Sequence, residues 1–195
     1  MRLAAGAKIA AAVIALAAAL TSCEQQNTAH TGTAPAESRA QVVPAAHELY
    51  QTLFRASPRS VDLLDWGYQP CGTGTATLSY SISLRLFAFA VTQDTDFDAY
   101  RHQVVSLVRS VGWTLRPQPS RRSETLPTVP SAYYRLSRRD GKVSLSGRLG
   151  LVGDVNPLVG VTGTISVNGP CFDAGGAAGS LQSQPVSTPF PVRSR

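Results

Sequence analysis

The chain has 195 residues, 43% of them hydrophobic and 15% charged, with a net charge of +6. That length supports one hydrophobic core of ordinary size, and no internal repeat or second boundary divides it. Only Lys8 and Lys142 among the eighteen basic residues are lysine, an Arg and Ala bias that points to a GC-rich genome.

Arg2 and Lys8 give a basic start, and Ile9 to Leu20 form an apolar run too short to span a bilayer. A plain secretory signal would end in an Ala-x-Ala-like site. Here the run closes on Leu20-Thr21-Ser22-Cys23, which resembles the lipobox of bacterial prolipoproteins. The resemblance implies that residues 1–22 are a signal peptide, that cleavage falls before Cys23, and that a diacylglyceryl group is attached to its sulfur. The protein would then sit on the extracytoplasmic side of the cell membrane, held by lipid. A plain secretory signal or an uncleaved anchor is the alternative. One acyl chain binds a membrane reversibly, whereas two or three palmitate-like chains, at about 0.8 kcal/mol per buried CH₂, hold firmly. After residue 22, sixteen basic residues face twelve acidic ones, leaving a net charge of about +4.

With Cys23 lipidated, Cys71 and Cys171 remain as an even pair in an oxidising compartment, and a disulfide between them is expected; two buried free thiols are the alternative. Neither has a CxxC partner or a ligand cluster nearby, so no metal or other cofactor is expected. Residues 23–43, the lipidated cysteine and a Gln/Thr/Ala/Ser-rich stretch, read as a flexible tether with a root-mean-square span of about 25 Å. Residues 174–195 read as a disordered tail, which leaves 44–173 as the folded domain.

A helix is expected from Pro44, with Leu49, Tyr50, Leu53 and Phe54 as its apolar stripe and Ser60 capping a further turn that carries Val61, Leu63 and Leu64. From Ala76 to Leu86 the period changes to two, the clearest strand in the chain. Thr95-Asp96-Phe97-Asp98 resembles a capping box for a second helix, in which Phe97, Tyr100, Val104, Leu107, Val108 and Val111 recur before the stop at Gly112. A short strand at Trp113–Arg116, a Pro-containing loop over 117–130, a hairpin over 132–151 turning at Asp140-Gly141, and a last strand over about 158–167 complete the chain. The order α-β-α-β-β-β-β predicts a single α+β domain, a mostly antiparallel sheet of about five strands with two helices on one face. A right-handed crossover between the first two strands and the hairpins after it would leave the first and last strands antiparallel, with Cys71 and Cys171 at one end. Gly112-Trp113 before a β-meander and Pro170-Cys171 after it resemble small secreted lipoproteins of actinobacteria, which implies fold and location but no activity.

Candidate chemistry is sparse. Asp94, Asp96 and Asp98 are spaced like the start of a calcium loop, but Ala99 and Val105 stand where Gly and Glu are required, so helix capping explains them better. Asp62 and Asp65 could share a helical turn as an acid and base pair, or could simply flank Leu63-Leu64. His30 lies in the tether, His102 off its helix stripe, and His47 near a helix face; no nucleophile elbow accompanies them. Gly147, Gly150 and Gly153 read as strand and bulge glycines. Between 116 and 148, eight positive residues meet only Glu124 and Asp140. Of these, Arg121, Arg122, Arg135, Arg138, Arg139 and Lys142 are the candidate anion-binding group, with Arg116 and Arg148 alongside. They could form a solvated hairpin face, or could contact anionic envelope polymer, lipid headgroups or an acidic protein. Nucleic acid is not expected for an exported chain. The sequence therefore predicts a lipid-anchored cell-envelope lipoprotein with a non-enzymatic binding or interaction domain. The alternatives are a carrier of an apolar, lipid-like ligand between helices and sheet, and an envelope hydrolase.

Overall fold

The computed structural model describes residues 34–57, 61–72, 76–88, 97–119, 130–141, 143–153 and 160–191. The leader, Cys23, His30, Ser60, Asp94 to Asp96, Arg121, Arg122 and Lys142 lie outside the described residues. The fold is α+β with an antiparallel sheet; among the described residues the sheet has seven strands and is joined by three helices, against the expected five and two.

Helix α1 spans Pro35–Ala56, with Pro35 in its first turn. Residues 35–43 are therefore helix rather than tether. Ala, Glu, Arg and Gln are good helix formers, and Ser38, Val42, Ala45, Ala46, Leu49 and Leu53 recur at helical spacing along the buried side. Pro44, expected at the start, is interior. It occupies the exposed side, where the carbonyl it cannot bond still meets solvent.

Strand β1 (Val61–Pro70) replaces the expected helical turn. It pairs antiparallel with β2 (Thr77–Ala88), and its register shifts between Leu63 and Asp65. That bulge gives the strand the spacing of a helical turn. An extra residue sets Asp62 and Asp65, three apart, on one face of a strand as a helical turn would. Helix α2 (Phe97–Ser110) buries Val104, Val105 and Val108 and ends at Gly112, whose φ of 82° suits a helix C-terminus. Strands β3 (Thr114–Gln118), β4 (Ser131–Asp140), β5 (Val143–Gly153), β6 (Val161–Asn168) and the two-residue β7 (Phe172–Asp173) follow.

The sheet order is β1-β2-β6-β5-β4-β3, with β7 beside the start of β2. Helix α2 thus carries the chain from β2, next to one edge of the sheet, to β3 at the far edge. Leu84, Leu86, Leu136, Leu149 and Ile165 meet Leu49, Tyr50, Val104 and Val108 in the core. β2 and β6 pair antiparallel, and Cys71 and Cys171 are joined by a disulfide with Cα atoms 6.1 Å apart, inside the usual range.

The expected tail holds regular structure and is anchored at a few points. A 3₁₀ turn (Gly175–Ala177) and helix α3 (Ala178–Ser183) lead into residues that return over α1 and β1. Trp66 donates its indole N–H to the Val186 carbonyl at 2.9 Å, and Phe190 is 5% exposed, stacked on His47 with ring centroids 4.8 Å apart. Two apolar side chains, Val186 and Phe190, anchor a segment that its Gly/Ala/Ser content made look featureless. The described elements of the fold run from Pro35 of α1 to the packed Phe190.

Candidate anion-binding surface

The helices cover one face of the sheet, and strand alternation sends every second side chain to the other. On β4, Tyr134 and Leu136 point to the core while Tyr133, Arg135, Ser137 and Arg139 point away. The candidate basic group therefore divides by parity. Arg135 and Arg139 lie exposed on the open face. Arg138 lies on the helix side, where its guanidinium pairs with Glu48 of α1 and donates to the Val111 carbonyl at the end of α2. Arg138 joins both helices to the sheet rather than standing free beside a surface turn.

Register assembles a different basic set. Arg116 of β3 is paired with Arg135 of β4, Arg135 with Arg148 of β5, and Arg148 with Ser166 of β6. Ser166 is paired in turn with Ser83 of β2, and Ser83 with Asp65 of β1. Six residues thus form one row across the open face, beginning with three exposed arginines on adjacent strands. With strands about 4.8 Å apart, the three cover roughly 10 Å. Like charges directly opposite each other destabilise a sheet, and neighbours in the row lie within a Debye length of about 8 Å. Among the described residues, no carboxylate pairs with Arg116, Arg135 or Arg148. Asp62 and Asp65, acids of this face, sit on β1, three strands beyond Arg148. Asp65 accepts the Trp66 backbone N–H at 2.8 Å.

Around the row the face is mainly polar, with one further exposed cation, Arg85 of β2, paired with Asp62 and Thr164. Thr164 and Asn168 flank Ser166 on β6, and Ser81 donates to the Asn168 side-chain oxygen at 2.8 Å. Tyr133 is paired with Gly150, and its ring leans over that residue. A Cβ added at Gly150 would stand 3.3 Å from Tyr133 Cδ1 and Cε1. The other two glycines of the trio are strand residues at close approaches, since a Cβ at Gly147 would collide with the Ser166 carbonyl and one at Gly153 with Pro130.

The remaining candidates separate. His47 lies on α1, stacked on Phe190 and 3.1 Å from the Gln51 amide nitrogen. It borders an open groove with Pro44, Glu48, Gln51 and Arg55. Asp62 and Asp65 lie on the opposite side of the sheet, so His47 does not meet them. His102 is exposed on α2, and Asp98 pairs with Arg101 at 2.9 Å. No group of three or more His, Cys, Asp or Glu among the described residues could hold a metal. No helix among them is long and apolar enough to cross a membrane.

Alternation within β4 could have separated Arg135 from Arg138 on the sequence alone. Arg116 and Arg148 were visible as charges. That they align with Arg135 depends on pairing across three strands. Comparison with protein-family models, with curated proteins and with solved structures finds no match.

Proposed function

We propose that this protein is a lipid-anchored, non-enzymatic binding module of the bacterial envelope, and that its open sheet face takes anionic envelope material. The observation that carries the reading is the row Arg116–Arg135–Arg148, three cations aligned with no paired acid among the described residues. Repulsion of that kind is relieved when a polyanion lies along it. The Cys71–Cys171 bond suits an oxidising compartment, and the Leu20-Thr21-Ser22-Cys23 lipobox supplies the anchor. Eleven residues, 24–34, separate Cys23 from α1, a reach of at most about 38 Å.

A carrier would need an apolar cavity between helices and sheet. The crevice lined by Leu53, Leu86, Tyr100 and Val104 measures about 20 Å³, room for roughly one water and not for an acyl chain. A hydrolase draws no support from His47, which faces away from both carboxylates.

Two measurements test the proposal. Metabolic labelling with an alkyne fatty acid marks the parent and not Cys23→Ala; equal labelling of both refutes the anchor. The chain from residue 24 onward, which contains every described element, binds inorganic polyphosphate at low ionic strength and releases it as salt rises. Replacing Arg116, Arg135 and Arg148 together with Gln abolishes this binding. No binding by the parent to polyphosphate or to any other anionic polymer refutes the anionic reading.

A further inference from the structure

Resting on that anionic reading, we infer that the ligand is a linear, phosphate-bearing glycan lying across the strands, its charges along the arginine row and a sugar ring against Tyr133. The shape of the charge comes first. Three exposed arginines at paired positions on adjacent strands form a line of residues, which suits charge repeated along a chain better than one compact anion. Each guanidinium presents a planar fork of donors matched to phosphate oxygens.

Over the next two strands the line carries no charge, and Asp65 of β1 ends it. Beyond Arg148 come the hydroxyls of Ser166 and Ser83, beside Thr164 and Asn168. Hydroxyls and amides can both donate and accept, as the hydroxyl groups of a glycan require. A bare phosphate chain offers only acceptors and would leave those acceptor oxygens unused.

Tyr133 adds the third element. It lies two residues from Arg135 on the same face, about 7 Å along the strand. Gly150 beneath it leaves room for the ring to lean toward the sheet. The ring is only partly buried and offers an apolar surface to the C–H face of a sugar next to the cations.

A membrane surface would be met differently. Interfacial docking uses exposed Trp, Phe or Leu beside the basic residues. The exposed large hydrophobic residue among those described is Leu64, at the β1 bulge on the far edge of the sheet.

The test uses the chain from residue 24 onward and four probes: phosphorylated dextran, neutral dextran, inorganic polyphosphate of matched charge, and vesicles containing phosphatidylglycerol. The parent binds phosphorylated dextran more tightly than polyphosphate and does not bind neutral dextran. Tyr133→Ala weakens phosphorylated dextran about five- to tenfold, the scale of one aromatic contact. It leaves polyphosphate binding unchanged, which also serves as the check on folding. Arg116→Gln, Arg135→Gln and Arg148→Gln combined abolish binding of both polyanions. Equal affinity of the parent for the two polyanions overturns the glycan inference and leaves the anionic reading standing. Preferential binding to vesicles also overturns it, in favour of membrane docking. Failure to bind any charged probe removes both.

Discussion

Ser38 is fully buried in the N-terminal half of α1, in the stretch whose composition suggests a tether. Its hydroxyl accepts the Tyr80 backbone N–H at 3.0 Å and donates to the Pro170 carbonyl at 3.2 Å. The need is topological. Pairing of β2 with β6 stops at Ser81 and Asn168, and Gly169 still bonds the Tyr80 carbonyl. The Tyr80 N–H, just past the end of that ladder, is satisfied by the helix. Ser38→Ala leaves it buried without an acceptor, at about 1–3 kcal/mol. The Pro170 bond, only part-buried, adds roughly 0.5–1 kcal/mol. The better helix propensity of Ala returns up to about 0.5 kcal/mol. The net expectation is a loss of about 2 kcal/mol, or roughly 4–8 °C in melting temperature for a domain of this size. Urea unfolding followed by circular dichroism, with exposed Glu37→Ala as the neutral control, measures it. A loss below about 0.5 kcal/mol with unchanged urea sensitivity would refute the argument that α1 caps the end of this strand ladder.

The Cys71–Cys171 bond closes a sequence separation of 100, for which the chain-entropy model gives about 4.7 kcal/mol. Cys71→Ser should therefore lower unfolding stability by several kcal/mol, and two free thiols titrated in the unfolded, unreduced parent would show the bond absent. Arg138→Met should destabilise by about 1–2 kcal/mol, a figure kept small because the Glu48 side of the pair is half exposed. Arg139→Ser, on the open face, should stay within about 0.5 kcal/mol in the same denaturation assay. Burial pushes the Tyr100 phenol up to about 12. Because the folded state holds this proton more tightly than the unfolded one, the associated stability is present below pH 10 and is lost as pH rises from 10 toward 12. Melting curves at pH 9 and 11.5 should show a smaller drop for Tyr100→Phe than for the parent.

Elements with a local code were legible. The alternation from Leu78 to Leu86, the stripe Val104–Leu107–Val108 ended by Gly112, and the turn at Gly141 each carry their own period or backbone signal, and each forms as read. The antiparallel relation of β2 and β6 also followed from chain connectivity. Where a non-local partner decides, the reading failed. Residues 35–43 are poor in large apolar side chains. They pack because Gly169 admits the helix: a Cβ there would lie 2.7 Å from Ser38 Oγ and 2.9 Å from Val42 Cγ2. Asp62–Asp65 has the same spacing in a helical turn and across a β-bulge, and only pairing with β2 selects the bulge. Phe190 carries no local pattern and is held by His47 and Tyr50 from α1. The candidate site divides in the same way. The positive charge between residues 116 and 148 is a property of composition, and alternation alone assigns Arg135 and Arg138 to opposite faces. The row Arg116–Arg135–Arg148 exists because α2 carries β3 to the far edge and the hairpin register sets β4 against both neighbours, so that residues 32 positions apart in the chain lie two strands apart in the sheet. A strand's period comes from its own backbone, whereas its neighbours are chosen by the packing of the whole chain.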